Sequence, residues 1–266
     1  MARTYTTVDD PLGTEGTIAY GINDNGKIVG AYTDNAGLDH GFLLSHGQYT
    51  TLDDPLGTEG TVAEGINARG EIVGYYTDGS GINHGFLLNK GQFTTLDDPL
   101  GAGGTVAVDI TDNGKKIVGY YTDSSGLNHG FLLSKGQYTT IDDPLGAQGT
   151  VVEGINDSGK KIVGYYVDSS GVDHGFLLKN GQFTTIDDPL GTNGTVVEGI
   201  NARGQVVGYF VDSAGVDHGF IYFHGQFKTL DDPLGAQGTI VEGINDSAKI
   251  VGVYYDTGGA HHGFVA

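Results

Sequence analysis

Pairs of aspartates followed by proline, leucine and glycine recur six times in this sequence of 266 residues. Carboxylate oxygens are the ligands that Ca²⁺ and other hard cations prefer. The same pairs favour turns, because an aspartate accepts local backbone N–H groups and a residue before proline is held extended. Both interpretations stay open, a turn and a cation-binding site, and no EF-hand loop accompanies them. The predicted binding residues of this set are Asp10, Asp54, Asp98, Asp143, Asp188 and Asp232.

Histidines followed by Gly-Phe form a second recurrent set. Neutral imidazole is a common metal ligand, so these side chains could contact a ligand or coordinate a metal. The alternative is a His–Asp hydrogen bond that ties neighbouring elements together. Six copies favour the structural role, because an enzyme rarely needs six copies of one catalytic group. The predicted binding residues of this set are His40, His84, His129, His174, His218 and His262.

Four glutamates share one position of the repeat, and Tyr20 and Val108 occupy it elsewhere. Near an axial channel these carboxylates would raise one another's pKa, and paired carboxylates suit glycoside hydrolysis. Substitution by Tyr and Val indicates a tolerant position, so we predict no catalytic residue. The third repeat departs most, with Asp109 in place of glycine and Thr111 in place of asparagine, and is the first place to look for a special site. The glutamates are Glu64, Glu153, Glu198 and Glu242.

The elements that must position these residues come from an internal repeat. Six prolines recur every 44 or 45 residues, which marks a repeat architecture. One unit, residues 49–92, contains four short apolar segments, TVAEGIN, EIVGYY, HGFLL and QYTTLDD. They are rich in Val, Ile, Tyr, Phe and Thr and are bounded by turn residues, which is typical of strands. No window shows the apolar period of a helix.

The two ends of the chain decide how the repeats are arranged. The sequence begins with TYTTVDD, a fourth strand without its first three, and stops at HHGFVA, a third strand without its fourth. These ends complement one another, and closing the ring hides strand edges. We therefore predict an all-β fold, a six-bladed β-propeller with four antiparallel strands per blade, whose last blade is closed by the N-terminal strand. Residues 1–266 form one domain, with repeats at 5–48, 49–92, 93–137, 138–182, 183–226 and 227–266.

Composition excludes several classes of protein. The absence of cysteine rules out disulfides, thiol catalysis and a Cys-based zinc site. A net charge of -20, from 13 basic and 33 acidic residues, argues against a nucleic-acid partner. No apolar run is long enough to cross a membrane, and the first residues lack the apolar stretch of a secretion signal. We expect a monomer with neither a nucleic-acid nor a membrane partner.

Charge is distributed unevenly over the predicted disc. The connections containing DDPLG and those before His-Gly-Phe lie on one face, the top face, because successive strands alternate in direction. These connections carry most of the acidic residues and no lysine or arginine, whereas the opposite face carries most of the basic residues. The sequence therefore predicts a strongly acidic top face that concentrates positively charged partners.

The repeat also resembles a known family. The pattern GIN-x-x-G-x-IVG-x-Y-x-D-x-x-G-x-x-HGF, with GINDNGKIVG as one instance, is similar to the HAF repeat family over essentially the whole chain. This sequence has His-Gly-Phe where the family name implies His-Ala-Phe. The resemblance implies a bacterial, extracellular repeat protein and no known activity.

Three functional hypotheses follow from the sequence. The first is a non-catalytic binding or scaffold module whose partner is a small cation, a cationic ligand or a glycan, with no required cofactor and with Ca²⁺ as the candidate ion. The second is a glycoside hydrolase or lyase. The third is a recently amplified or engineered propeller without an evolved ligand, since young repeats resemble one another by descent.

Overall fold

The computed structural model describes residues 3–266, which form strands and turns. Over this range no helix is long and apolar enough to cross a membrane. The strands in chain order are β1 (Thr6–Thr7), β2 (Gly16–Ile22), β3 (Ile28–Thr33), β4 (Asp39–Ser45), β5 (Gln48–Leu52), β6 (Thr61–Ile66), β7 (Ile72–Thr77), β8 (Asn83–Asn89), β9 (Gln92–Leu96), β10 (Gly104–Ile110), β11 (Lys116–Thr122), β12 (Asn128–Ser134), β13 (Gln137–Ile141), β14 (Thr150–Ile155), β15 (Lys161–Val167), β16 (Asp173–Lys179), β17 (Gln182–Ile186), β18 (Thr195–Ile200), β19 (Val206–Val211), β20 (Asp217–Phe223), β21 (Gln226–Thr229), β22 (Gly238–Ile244), β23 (Ile250–Tyr255) and β24 (His261–Val265).

Five sets of four consecutive strands, β2–β5, β6–β9, β10–β13, β14–β17 and β18–β21, pair antiparallel in sequence order. The sheet β2-β3-β4-β5 is typical, and its hairpins follow the Gly-containing turns expected from the sequence. The short strand β1 pairs with β24 and completes the sheet of β22, β23 and β24. The sheets of the second and third repeats are linked by one parallel pair, Gly104 with Asn83. We call β2, β6, β10, β14, β18 and β22 the first strands.

The first strands contact one another in sequence order. Each contacts the first strand of the next repeat, and β22 contacts β2. Asparagine side chains link them: Asn23 Nδ2 donates to the carbonyl of Asn67 at 3.0 Å, and Asn245 Nδ2 donates to the carbonyl of Asn23 at 3.2 Å. The last contact joins the sixth repeat to the first, so the connections return to their starting point.

The hydrophobic core lies between neighbouring sheets. Val29 of the first repeat packs with Ala63, Ile66 and Phe86 of the second, and Val251 of the sixth packs in the same way against the first. The phenylalanine of every His-Gly-Phe segment is completely buried. Each sheet therefore needs its neighbour to cover its apolar face, which explains why the repeats stabilise one another.

Gly74 shows why the Ile-Val-Gly segment ends in glycine. A Cβ added there would overlap the carbonyl oxygen of Val62 and lie 2.9 Å from the ring of Phe86. The backbone of the second strand therefore passes directly beneath the buried phenylalanine ring. A side chain at this position would separate the two strands.

Replacing Asn245 with alanine should lower the free energy of unfolding by about 1–3 kcal/mol, because it removes three hydrogen bonds at once, one of them a buried link between the sixth repeat and the first. Asn245 Oδ1 accepts the N–H groups of Ser247 and Lys249, in addition to the bond that its Nδ2 makes to Asn23. The exposed Asn25 is the matched control, and Asn25→Ala should change stability by less than about 0.5 kcal/mol. Urea unfolding of both variants measures this, and equal losses would contradict a special role for Asn245.

Candidate functional site

A β-bulge interrupts every first strand at the same position. In β6 the register shifts between Ala63 and Gly65, which leaves Glu64 as the extra residue. A bulge bends the strand and redirects the side chain of the inserted residue. The bulged residues of the six first strands are Tyr20, Glu64, Val108, Glu153, Glu198 and Glu242. They coincide with the glutamate position that the sequence analysis singled out.

Glycine after the bulge lets neighbouring strands approach one another at the axis. A Cβ on Gly65 would lie 2.5 Å from the carbonyl oxygen of Val108 in the next repeat. The same closeness recurs at the ring's closing contact, where a Cβ on Gly243 would lie 2.6 Å from the carbonyl oxygen of Tyr20. The narrow ring of first strands brings the bulged side chains together.

These side chains surround a cavity of about 260 Å³ on the axis. We call it the glutamate chamber and define it by the six bulged residues together with Tyr120. Neither lysine, arginine nor histidine is among the residues that line it within residues 3–266. The chamber therefore gathers four carboxylates with no positive charge beside them.

Burial dominates the electrostatics of the four glutamates. Their side chains keep some exposure, but only to the channel, and protein otherwise encloses them. Desolvation raises the pKa of each carboxyl, and repulsion from the other glutamates raises the pKa of Glu64, Glu153 and Glu198 further. Within residues 3–266 no protein group donates a hydrogen bond that stabilises these carboxylates. The environment of the chamber therefore favours the protonated form of these carboxyl groups.

Tyrosines add neutral hydroxyls and ring faces to the chamber and its surroundings. Burial raises the pKa of Tyr20 and Tyr120 well above the usual range, and the nearby glutamates raise it further. The equivalent tyrosines of the second strands, Tyr75, Tyr165 and Tyr209, behave in the same way. These phenols stay protonated, so they can donate hydrogen bonds and present their rings to a cation.

In the third repeat, Asp109 occupies the position that is glycine in the other five repeats. Its Oδ1 accepts the N–H of Ile110 at 2.7 Å, and its Oδ2 accepts the N–H of Ile155 in the next repeat at 2.8 Å. Burial raises its pKa to about 6, although both hydrogen bonds act in the opposite direction. Asp109 lines the glutamate chamber and also the next compartment along the axis.

That next compartment is a smaller cavity of about 70 Å³ bordered by four further acids. We call Asp24, Asp112, Asp157 and Asp246 the aspartate mouth. Burial raises the pKa of Asp157, and the charges of Asp112 and Asp246 raise it further. By sequence these acids belong to the face that is rich in lysine and arginine, but the structure gathers them at its centre. Sequence reasoning missed this cluster, since the only signal was their common place in the turn after each first strand.

The aspartates of the DDPLG segments lie in turns. Asp10 is 3% exposed, its Oδ1 accepts the N–H of Leu12 at 2.9 Å, and its own N–H donates to Thr17 at 3.0 Å. The other five repeats have the same contacts. Within residues 3–266 no group of three or more His, Asp or Glu side chains is arranged so that it could hold a metal ion. The structure therefore distributes these aspartates one per repeat and does not bring them together.

The histidines form six separate clusters near the same turns. His84 Nδ1 lies 2.9 Å from Asp97, its Nε2 lies 3.5 Å from Asp78, and its ring stacks on Tyr76. The other histidines have equivalent neighbours, so the expected His–Asp hydrogen bond is present in every repeat. Each cluster belongs to one sheet, and the structure does not join them into a common site.

His84, His174 and His218 should titrate above the ordinary imidazole value of 6.5. Burial lowers the pKa of His84, but the hydrogen bonds and charges of Asp97 and Asp78 outweigh it. Chemical shifts of the imidazole protons measured against pH test this. Asp97→Asn should lower the midpoint of His84 and leave that of His174 unchanged, whereas an unshifted His84 would contradict the assignment.

Comparison with solved structures gives the class of fold. AofleA from Arthrobotrys oligospora has a TM-score of 0.62 and 13% identity, over 99% of this chain and 86% of that chain. The lectin of Aleuria aurantia, described as a six-bladed β-propeller with a novel fucose recognition mode, has a TM-score of 0.56 and 12% identity, over 98% of this chain and 93% of that chain. TolB from Acinetobacter baumannii has a TM-score of 0.62 and 13% identity, over 90% of this chain and 63% of that chain.

These likenesses show that the chain has a β-propeller fold. At such low identity they carry the fold and not the function. No family model matches the chain, and no curated protein matches its sequence. The resemblance to the HAF repeat family stays a prediction.

Proposed function

We propose that this protein is a non-catalytic binding module, built as a six-bladed β-propeller whose last blade is closed by the N-terminal strand, and that it holds a small cationic ligand in the glutamate chamber. The observation that carries the proposal is the enclosure of four carboxylates without a positively charged partner. Pairing of β1 with β24 and the contact of Asn245 with Asn23 support the closed ring.

The physical reason is the cost of enclosing carboxylates that no positively charged protein group neutralises. Enclosed carboxylates that lack partners either stay charged in a poor solvent or take up protons, and both reduce stability at neutral pH. A cation in the chamber supplies the missing charge and strengthens each contact, because little water separates the charges. The acidic top face, if it forms as its sequence predicts, raises the local concentration of the same ligands.

Calorimetric titration with butane-1,4-diamine tests the chamber. Glu153→Gln/Glu198→Gln should weaken binding by at least about tenfold, since hydrogen bonds to charged groups contribute about 1.5–3 kcal/mol. The matched control is Glu15→Gln/Glu59→Gln, which removes the same charge from two exposed residues of the top face. This control should change the affinity by no more than about twofold. Equal losses in both variants, or no binding to the unmodified protein, would contradict the proposal.

Glycan binding is the second candidate. It is supported by the likeness to the Aleuria aurantia lectin, which has been described in complex with α-methyl-L-fucoside. Tyrosine rings beside carboxylates also suit a sugar, which stacks on the ring and donates hydroxyl hydrogen bonds. Titration with α-methyl-L-fucoside separates the two functions. Binding of the sugar that survives Glu153→Gln/Glu198→Gln would favour a glycan site outside the chamber.

The absence of catalysis is part of the proposal. Raised pKa values suit a general acid, but four similar glutamates in one chamber do not single out the acid and base that glycoside hydrolysis needs. Chromogenic glycosides should give no turnover, and turnover abolished by Glu153→Gln would overturn this.

We also propose that the protein acts outside the cell as a monomer without a required cofactor. If neither amines nor sugars bind, the propeller without an evolved ligand is favoured.

A further inference from the structure

Two acidic compartments follow one another along the axis. The glutamate chamber and the aspartate mouth share part of their lining, namely Asp109 and isoleucines of the first strands such as Ile22 and Ile66. Because the linings overlap, the compartments are consecutive parts of one channel. Apart from Asp109, the residues that the two compartments share are isoleucines. The channel is thus acidic, then apolar with a single acid, then acidic again.

The spacing along the axis can be estimated from one strand. Glu153 of the chamber and Asp157 of the mouth are four residues apart, which limits the distance between their Cα atoms to about 13 Å, and the bulge at Glu153 and the turn at Asp157 shorten it. Isoleucines and Asp109 lie between the two compartments, so a single small ion cannot contact the acids of both. Two ammonium groups joined by a flexible apolar chain can, provided that the chain is longer than that of butane-1,4-diamine.

The side chains favour an organic cation over a bare metal ion. Within residues 3–266 no three His, Asp or Glu groups are arranged to hold a metal. Tyr20 and Tyr120 border the chamber and offer rings that attract ammonium groups. The glutamates have no protein hydrogen-bond donors in the described part of the chain, and each N–H of an ammonium group is a donor. An unpartnered, enclosed set of acceptors therefore faces the place where such a group would lie.

We propose that the channel binds a linear polyamine, with one terminal ammonium group in the glutamate chamber, its methylene chain beside the isoleucines, and the other terminal group in the aspartate mouth. Asp109 lies between the compartments, where it meets an inner ammonium group of a triamine or tetramine. The proposal rests on the proposed function of the chamber and adds the length and charge spacing of the ligand.

Calorimetric titrations with butane-1,4-diamine and spermine test the span. Spermine should bind at least about tenfold more tightly than the diamine, since it adds charge-assisted contacts in the second compartment. Asp157→Asn/Asp246→Asn should remove that advantage and leave the affinity for the diamine within about twofold. The matched control is Asp168→Asn/Asp212→Asn, on turns near the histidine clusters, where asparagine also accepts the local N–H groups. It should leave both affinities unchanged.

The outcomes separate the two proposals. Equal affinities for diamine and spermine, or no effect of Asp157→Asn/Asp246→Asn, would overturn the spanning polyamine while the glutamate chamber keeps its proposed function. The control Asp168→Asn/Asp212→Asn could lose as much spermine affinity as Asp157→Asn/Asp246→Asn. That result would indicate attraction to the net negative surface and would overturn the spanning site. Failure of every amine to bind would overturn both proposals. Circular dichroism of each variant confirms that loss of binding does not come from loss of the fold.

Discussion

Replacing Phe131 with alanine should lower the free energy of unfolding by about 3–5 kcal/mol, the loss expected for a buried aromatic side chain. Phe131 has no exposed surface and packs with Val73 of the preceding repeat as well as with Ala107 and Tyr121 of its own. Its ring also meets that of Tyr138 edge to face at 5.3 Å. The substitution therefore opens a cavity between two sheets, where neither sheet alone can close it.

Leu100 provides the control for Phe131. It is also large and apolar, but 61% of its surface is exposed, so Leu100→Ala should change stability by less than about 0.5 kcal/mol. Thermal and urea unfolding of both variants give the comparison. A loss below about 1 kcal/mol for Phe131→Ala would mean that the sheets do not depend on each other's apolar faces.

Replacing Glu153 and Glu198 with glutamine should have the opposite effect and stabilise the unliganded protein at mildly alkaline pH, by about 2 kcal/mol after allowance for screening by channel water. Both carboxyl groups have a raised pKa in the folded protein because of burial and of repulsion from other glutamates, Glu242 in both cases. At pH values between the pKa of these glutamates in the unfolded chain and their raised pKa in the folded protein, the folded protein binds more protons than the unfolded chain. The free energy of unfolding therefore falls as pH rises through this interval.

The variant isolates the chamber's share of this pH dependence. The raised pKa values of His84, His174 and His218 act in the same direction, because their contribution is also lost as pH rises through the folded pKa. Glu153→Gln/Glu198→Gln removes two of the four carboxyl groups of the chamber and leaves the three histidines unchanged. Unfolding measured at mildly acidic and mildly alkaline pH should thus show a smaller difference in the variant than in the unmodified protein. An identical difference, or destabilisation at alkaline pH, would contradict enclosed and repelling glutamates.

Some of this architecture was predictable from the sequence and some was not. Segments such as IVGYY and HGFLL predicted strands because their residue types and turn boundaries act locally. The hydrogen bond between His84 and Asp97 was also predictable, since adjacent antiparallel strands bring the two residues together. The bulge at Glu64 was not, because it depends on the register between β6 and β7 and on the close approach of Gly65 to the next repeat.

The acids that the structure brings together line the channel and do not belong to the DDPLG turns, and the reason is physical. Asp10 and its equivalents have the residue type of a cation site, but their carboxylates accept N–H groups of their own turns. Asp157 and Asp246 are unremarkable in sequence and become neighbours only because the first strands converge on the axis. Sequence patterns describe one repeat at a time, whereas the acidic channel arises from residues that every repeat contributes to a common centre.

Proton release on ligand binding tests the central claim, that a cation enters the glutamate chamber. A cation lowers the pKa of the enclosed carboxyl groups, so spermidine titrated near neutral pH should release on the order of one proton per ligand. Calorimetry in two buffers of different ionisation enthalpy measures this number. We expect proton release by the unmodified protein and by Glu15→Gln/Glu59→Gln, and a clear reduction in Glu153→Gln/Glu198→Gln. Binding without any proton release would contradict it, because the ligand would then lie away from the chamber.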